Sequence, residues 1–221
     1  MTARAMGVPV PRILLYASLG HLKGGYILMT KVPGDTLWHV QESCSDEVDD
    51  ILAEVGECLQ QMQQSSGPYG RAICGIDGQT LYNWFGPYGN CDRLESPEKY
   101  HDLILKCAFP VKFPVKLELE DEFASACKIM ERDSSYRAVF AHGDLHLSNI
   151  IVKDGRFIGI IDWEAAAWFP EYWDFVNPMS MWPKAWNWAR EWMYSVPGGE
   201  EYDQERESWT QKCGLAGYAI H

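Results

Sequence analysis

Several absences narrow what this chain can be. Lys and Arg form no block anywhere, and the net charge is −12, which disfavours nucleic acid or an anionic membrane as a partner. No run approaches the ~20 apolar residues of a membrane span. The opening Met-Thr-Ala-Arg-Ala-Met-Gly-Val-Pro has no apolar signal core. Seven cysteines are dispersed without a single Cys-x-x-Cys, which argues against a disulfide framework or a thiolate zinc site. Reduced thiols in a cytoplasmic protein are the expectation. No repeat, low-complexity tract or composition break marks an independent second domain.

What remains is an ordinary globular balance. The chain has 221 residues, 47% hydrophobic and 23% charged, enough for one sizeable core. Its most informative stretch runs from 139 to 164: Val-Phe-Ala-His-Gly-Asp-Leu-His-Leu-Ser-Asn, then Ile-Ile-Val-Lys-Asp-Gly-Arg-Phe-Ile-Gly-Ile-Ile-Asp-Trp-Glu. Ile150–Val152 and Phe157–Ile161 are β-branched or apolar runs. Asp154-Gly155 between them suits a tight turn with positive φ, so the segment predicts a hairpin. Closing it brings Asn149 back beside Asp162, with Asp144 on the preceding loop. Two hard oxygen ligands facing one point suit Mg²⁺, whose remaining shell is water and phosphate. His142-x-Asp144-x-His146 has a second reading, as part of a transition-metal site in a hydrolase.

His142-x-Asp144-x-x-x-x-Asn149 followed by Ile161-Asp162-Trp163-Glu164 resembles the catalytic and metal motifs of the aminoglycoside phosphotransferase-like family. Those enzymes share the protein-kinase fold and phosphorylate small molecules. Gly143 stands where protein kinases carry Arg, Trp163-Glu164 replaces Phe-Gly, and no Ala-Pro-Glu follows Asp162. These departures are typical of the small-molecule branch.

The resemblance implies an α+β, protein-kinase-like fold with ATP (or GTP) and Mg²⁺ as cofactors. Asp144 and His142 would be the catalytic-loop residues, with Asp144 as base and His142 bracing the loop. Asn149 and Asp162 would be the metal ligands. The acceptor would be a small molecule, and the acidic balance favours a cationic one. Asp174, in Glu171-Tyr-Trp-Asp174, would steady the large lobe.

At the other end of the chain, Arg12–Ala17 and Tyr26–Lys31 predict two strands of a hairpin. Val32-Pro33-Gly34 then breaks the second strand. By the resemblance this strand runs into the hinge between lobes: Met29 would line the adenine pocket, and the backbones of Thr30 and Val32 would bond to it. The residues before Arg12 hold neither a Gly-rich loop nor a Lys. The expected layout is therefore a remnant of the small lobe and hinge over 1–34 and a mainly helical large lobe over 35–221. A catalytically inactive kinase-like binding module and a shortened gene product are the alternatives this leaves open.

Asp46–Gln64 shows the clearest helical periodicity. Val48, Ile51, Leu52, Val55, Leu59 and Met62 share one face, with Ser45 as the expected N-cap. Residues 67–95 predict a long irregular connection. Ser96-Pro97-Glu98 predicts a helix start burying Tyr100, Leu103, Ile104 and Cys107, and a further helix is expected near Glu118–Glu131. The tryptophans after Asp162 predict packing, with a cation-binding pocket as the second reading.

Overall fold

The computed structural model describes residues 2–18, 25–82, 90–107, 136–177 and 187–206. A short N-terminal helix α1 (Thr2–Ala5) leads to an antiparallel hairpin of β1 (Ile13–Ser18) and β2 (Gly25–Met29). A two-residue strand β3 (Asp35–Thr36) and helix α2 (Leu37–Val40) follow. Thr36 is a genuine N-cap, accepting the His39 amide on its hydroxyl.

Helix α3 (Val48–Gln63) buries Ile51, Leu52, Val55, Leu59 and Met62, as its periodicity requires. Its start differs from expectation. The N-cap position falls to Glu47, which makes no side-chain capping bond, and Ser45 lies in the preceding turns. Asp49 and Asp50 in the first turn favour the dipole in its place.

The irregular connection holds three very short strands, β4 (Cys74–Gly75), β5 (Leu81–Tyr82) and β6 (Asn90–Cys91). Helix α4 (Pro97–Cys107) begins at the expected Pro and buries Tyr100 completely, while Leu103 is half-buried. The helix expected near Glu118–Glu131 lies outside the described residues, as do the side chains of Ile104 and Cys107.

The centre of the molecule is built from β7 (Ala138–Ala141), the hairpin β8 (Ile150–Lys153) and β9 (Arg156–Ile160), β10 (Ala167–Pro170), α5 (Trp173–Val176) and α6 (Asn187–Tyr194). β10 lies between β4 and β7, and β8 lies between β3 and β9, all antiparallel. Lys153 pairs with Arg156, leaving Asp154-Gly155 as a two-residue loop. Both loop residues have positive φ, 52° and 71°, which a type I′ turn demands.

Aromatic rings fill the space between β10 and α5. Phe169 stacks on Trp173 at 5.0 Å, and Tyr100 meets both edge-on. Trp168 and Trp173 are therefore core residues, and Trp163 packs parallel to Phe140 at 6.0 Å. Trp182 and Trp186 lie outside the described residues.

No helix among the described residues is long and apolar enough to cross a membrane. The architecture is α+β with small antiparallel sheets, as expected.

Candidate active site

Strand β7 delivers the chain into a tight loop at His142-Gly143-Asp144. Gly143 has φ +85°, and a Cβ there would stand 2.3 Å from the Ala165 carbonyl oxygen. Only glycine fits this bend.

The loop is held from behind by α5. The buried Asp174 carboxylate accepts the amides of His142 (2.7 Å) and Gly143 (2.9 Å), while Trp173 Nε1 and Asn177 Nδ2 both donate to the Gly143 carbonyl at 3.2 Å. Burial pushes the Asp174 carboxyl up to about 6, although the two amides pull the other way. Arg206, itself buried, backs this clamp by donating its Nε to the Phe175 carbonyl at 3.1 Å.

His142 is completely buried. Its Nε2 donates to the Ile161 carbonyl at 2.9 Å, and its Nδ1 accepts the Asp144 amide at 3.3 Å. A carbonyl can only accept and an amide can only donate, so the Nε2–H tautomer follows. Burial holds the imidazole down at about 4, so it is neutral near pH 7. A sealed, neutral ring with both nitrogens occupied does not exchange protons with a substrate. It ties the loop to the residue before Asp162.

Asp144 differs from its neighbour. A third of its side chain is exposed, and its Oδ2 stands 3.7 Å from His146 Nε2. The Asp144 carbonyl accepts from Asn149 Nδ2 at 2.9 Å. This bond fixes the Asn149 amide with nitrogen toward the loop, which turns Oδ1 away from that carbonyl.

The Asn149 carbonyl accepts the Ile161 amide at 2.9 Å, and Ile150 pairs with Ile160. The hairpin therefore does place Asn149 beside the end of β9. Asp162 follows with φ 64° and ψ 61°, a left-handed conformation costly for a non-glycine residue. Its exposed carboxylate makes no capping bond to the turn it precedes.

Asn149 Oδ1 and the Asp162 carboxylate are hard oxygen donors on adjoining backbone, a donor set that fits Mg²⁺. The zinc-type alternative does not fit. His142 has no nitrogen to spare, and no group of three His, Cys, Asp or Glu among the described residues is arranged to hold a metal ion.

The expected nucleotide residues lie along the segment that leaves β2. Met29 is half exposed on the hairpin. The Thr30 amide donates to the Arg12 carbonyl at 2.9 Å, which leaves only the Thr30 carbonyl for a ligand. Val32 packs over Gly159 of β9, and Asp35–Thr36 pairs with Ile151–Val152 of β8. This segment and the Asn149–Asp162 hairpin are thus packed together.

Sequence reasoning missed Asn177 and Arg206. Asn177 had a usable signal, since it sits three residues after Asp174 and shares its helical face. Arg206 had none.

The model of the phosphotransferase enzyme family matches residues 1–211. A search of curated proteins gives no match. Among solved structures, aminoglycoside phosphotransferase APH(4)-Ia is similar, with TM-score 0.61 and 16% identity over 94% of this chain and 68% of that one. A thermostable mutant of the same enzyme, in ternary complex with ADP and hygromycin B, gives TM-score 0.56, 16% identity, and the same coverage of 94% and 68%. The GDP and kanamycin complex of APH(2″)-IIIa gives TM-score 0.58 and 14% identity, covering 94% of this chain and 65% of that one. The chain spans about two thirds of the length of these neighbours.

Proposed function

Because the chain belongs to the phosphotransferase enzyme family, we propose that it transfers the γ-phosphate of ATP or GTP to a hydroxyl of a small molecule. The observation that carries this reading is the pair of bonds meeting at Ile161. His142 Nε2 donates to its carbonyl and its amide donates to Asn149. Together they gather Asp144, Asn149 and Asp162 at one end of one hairpin.

In this reading Asp144 accepts the proton of the acceptor hydroxyl as it attacks, and its partial exposure gives the acceptor access. Asn149 Oδ1 and Asp162 hold Mg²⁺, which supplies charge neutralisation at the nucleotide phosphates. His142 is a positioning residue that sets the distance between base and metal ligands. The Thr30 carbonyl and the Val32 amide hold the adenine or guanine edge, with Met29 against its face. Residues 1–34 act as the remnant of a small lobe with its hinge, and 35–221 as the large lobe. A cationic acceptor suits the net charge of −12. The thiols of Cys44, Cys58 and Cys74, which form no disulfide, suit a reducing, cytoplasmic setting.

The test is thermal unfolding with and without Mg·ATP and Mg·GTP, beside Asp162→Ala. A nucleotide at a hundred times its dissociation constant stabilises by about 2.7 kcal/mol. A metal-dependent rise in Tm that Asp162→Ala abolishes is expected, followed by turnover that Asp144→Asn abolishes while the rise persists. No rise in a folded protein would overturn the reading in favour of a kinase-like binding module.

A further inference from the structure

Both histidines of the catalytic loop accept a backbone amide from two residues onward. His142 Nδ1 takes the Asp144 amide at 3.3 Å, and His146 Nδ1 takes the Ser148 amide at 3.2 Å. The second bond makes His146 the N-cap of the single turn Leu147–Asn149. An amide only donates, so Nδ1 of each ring is bare and Nε2 carries the hydrogen. The two hydrogens have different destinations. That of His142 goes to the Ile161 carbonyl, in the buried interior. That of His146 lies on the open side of the loop, where 14% of its own side chain and 34% of the Asp144 side chain are exposed.

Asn149 Nδ2 stands 3.3 Å from His146 Nε2, but it is a donor already turned to the Asp144 carbonyl. Two donors do not bond to each other. The acceptor facing the His146 hydrogen is Asp144 Oδ2, at 3.7 Å. That is longer than a formed hydrogen bond, and catalytic contacts of this kind often tighten only in the substrate complex. His142 and Asn149 grip the amide and the carbonyl of Asp144. Those bonds fix its backbone and leave the rotation of its carboxylate about Cα–Cβ to be set by the His146 ring.

We propose that His146 is a positioning residue for Asp144: its Nε2–H holds Oδ2 and thereby presents Oδ1 to the acceptor hydroxyl. This rests on the phosphotransfer reading above, with Asp144 as the base. His146 takes no proton in the reaction, because Nε2 already carries one and Nδ1 is occupied by the Ser148 amide. The proton of the hydroxyl goes to Asp144, and the ring keeps the receiving oxygen aimed. One side chain thus caps the turn that leads to Asn149 with one nitrogen and orients the base with the other.

Two substitutions separate the two contacts. His146→Asn keeps an acceptor near the Nδ1 position, and Asn is a good N-cap, but its side chain is too short to reach the Asp144 carboxylate. His146→Gln puts an amide nitrogen near the Nε2 position and gives up the cap. The reaction measured is phosphate release from Mg·ATP and Mg·GTP, with water as the acceptor. His146→Asn should lower kcat roughly 10–100-fold at unchanged nucleotide KM and unchanged Tm. His146→Gln should recover most of that loss while lowering Tm. A ring that serves only as a cap would give the reverse order. Nitrogen NMR spectra of the parent give a readout apart from turnover: the ring signal that His146→Asn removes should be protonated at Nε2, and Asp144→Asn should shift that proton. Full kcat in His146→Asn, the reverse order, or a ring protonated at Nδ1 would overturn the proposal and leave the phosphotransfer reading standing. A parent that releases no phosphate would overturn that reading, and this proposal with it.

Discussion

Two hairpins in this protein start from similar sequence signals and end in opposite surroundings. β1–β2 and β8–β9 are both antiparallel, both short, and both rich in Ile, Leu and Val or aromatic residues. In β8–β9, Ile150 and Ile160 are fully buried, and β3 covers one edge. In β1–β2 every apolar side chain of comparable size is open. Pattern and turn chemistry decide which strands pair. They do not decide what covers the pair, which depends on elements far away in sequence.

The largest expected contrast is in stability. Ile160→Ala removes a branched side chain from a closed core and should cost about 2–5 kcal/mol, read as a fall in the urea midpoint at unchanged slope. A cost under ~1 kcal/mol would mean that β8–β9 is less firmly packed than its burial indicates.

The clamp behind the His142–Asp144 loop should show itself through pH. The Asp174 carboxyl, raised to about 6 from 3.8, binds a proton more tightly folded than unfolded. Its contribution is full below pH ~4 and is lost as pH rises through about 6. The buried His142 imidazole, lowered to about 4 from 6.5, does the reverse: its contribution is full above pH ~6.5 and is lost as pH falls through about 4. The two slopes oppose each other across one window, each at most about 1.4 kcal/mol per pH unit. Asp174→Asn should therefore make stability climb more steeply between pH 4 and 6 than in the parent, and His142→Asn should make it fall. Parallel curves for parent and variants would refute both assignments.

A smaller effect separates folding from ligand binding at Asp162. Its left-handed backbone is one that glycine adopts without penalty. Asp162→Gly should leave stability within about 1 kcal/mol of the parent, yet remove any Mg·nucleotide-dependent rise in Tm. Smallest of all is Leu15→Ala on the open hairpin, expected within about 0.5 kcal/mol. A loss near that of Ile160→Ala would erase the contrast between the hairpins.

Much of the site was legible because its logic is local. Asp154-Gly155 announces a tight turn with positive φ, and the two apolar runs around it pair in the register that sets Asn149 beside Ile161. The α3 core face was legible for the same reason, since a 3.6-residue period needs no knowledge of the rest of the chain. Its N-cap was not. Ser45 is a good cap by type, but the chain makes another turn before the helix begins at Val48. His142 was legible as a brace, while the identity of its partner, a carbonyl 19 residues onward, was not. Arg206 was beyond reach, since only tertiary packing brings it to Phe175.

The crowding at Gly143 has a consequence for descent. Protein kinases carry Arg at the matching position of the loop motif, and a single base change converts some glycine codons to arginine. Here that exchange is closed, because even one methyl group at residue 143 would run into the Ala165 carbonyl and the Phe169 ring, 2.3 Å and 3.1 Å away. The segment through Ala165 would first have to move aside, and that segment also carries Asp162 and starts β10. The two loop types are therefore separated by an ordered pair of changes, and the first of them disturbs the Asp162 end of the hairpin before the second offers any return. A lineage that settles on glycine at this bend has little prospect of stepping back.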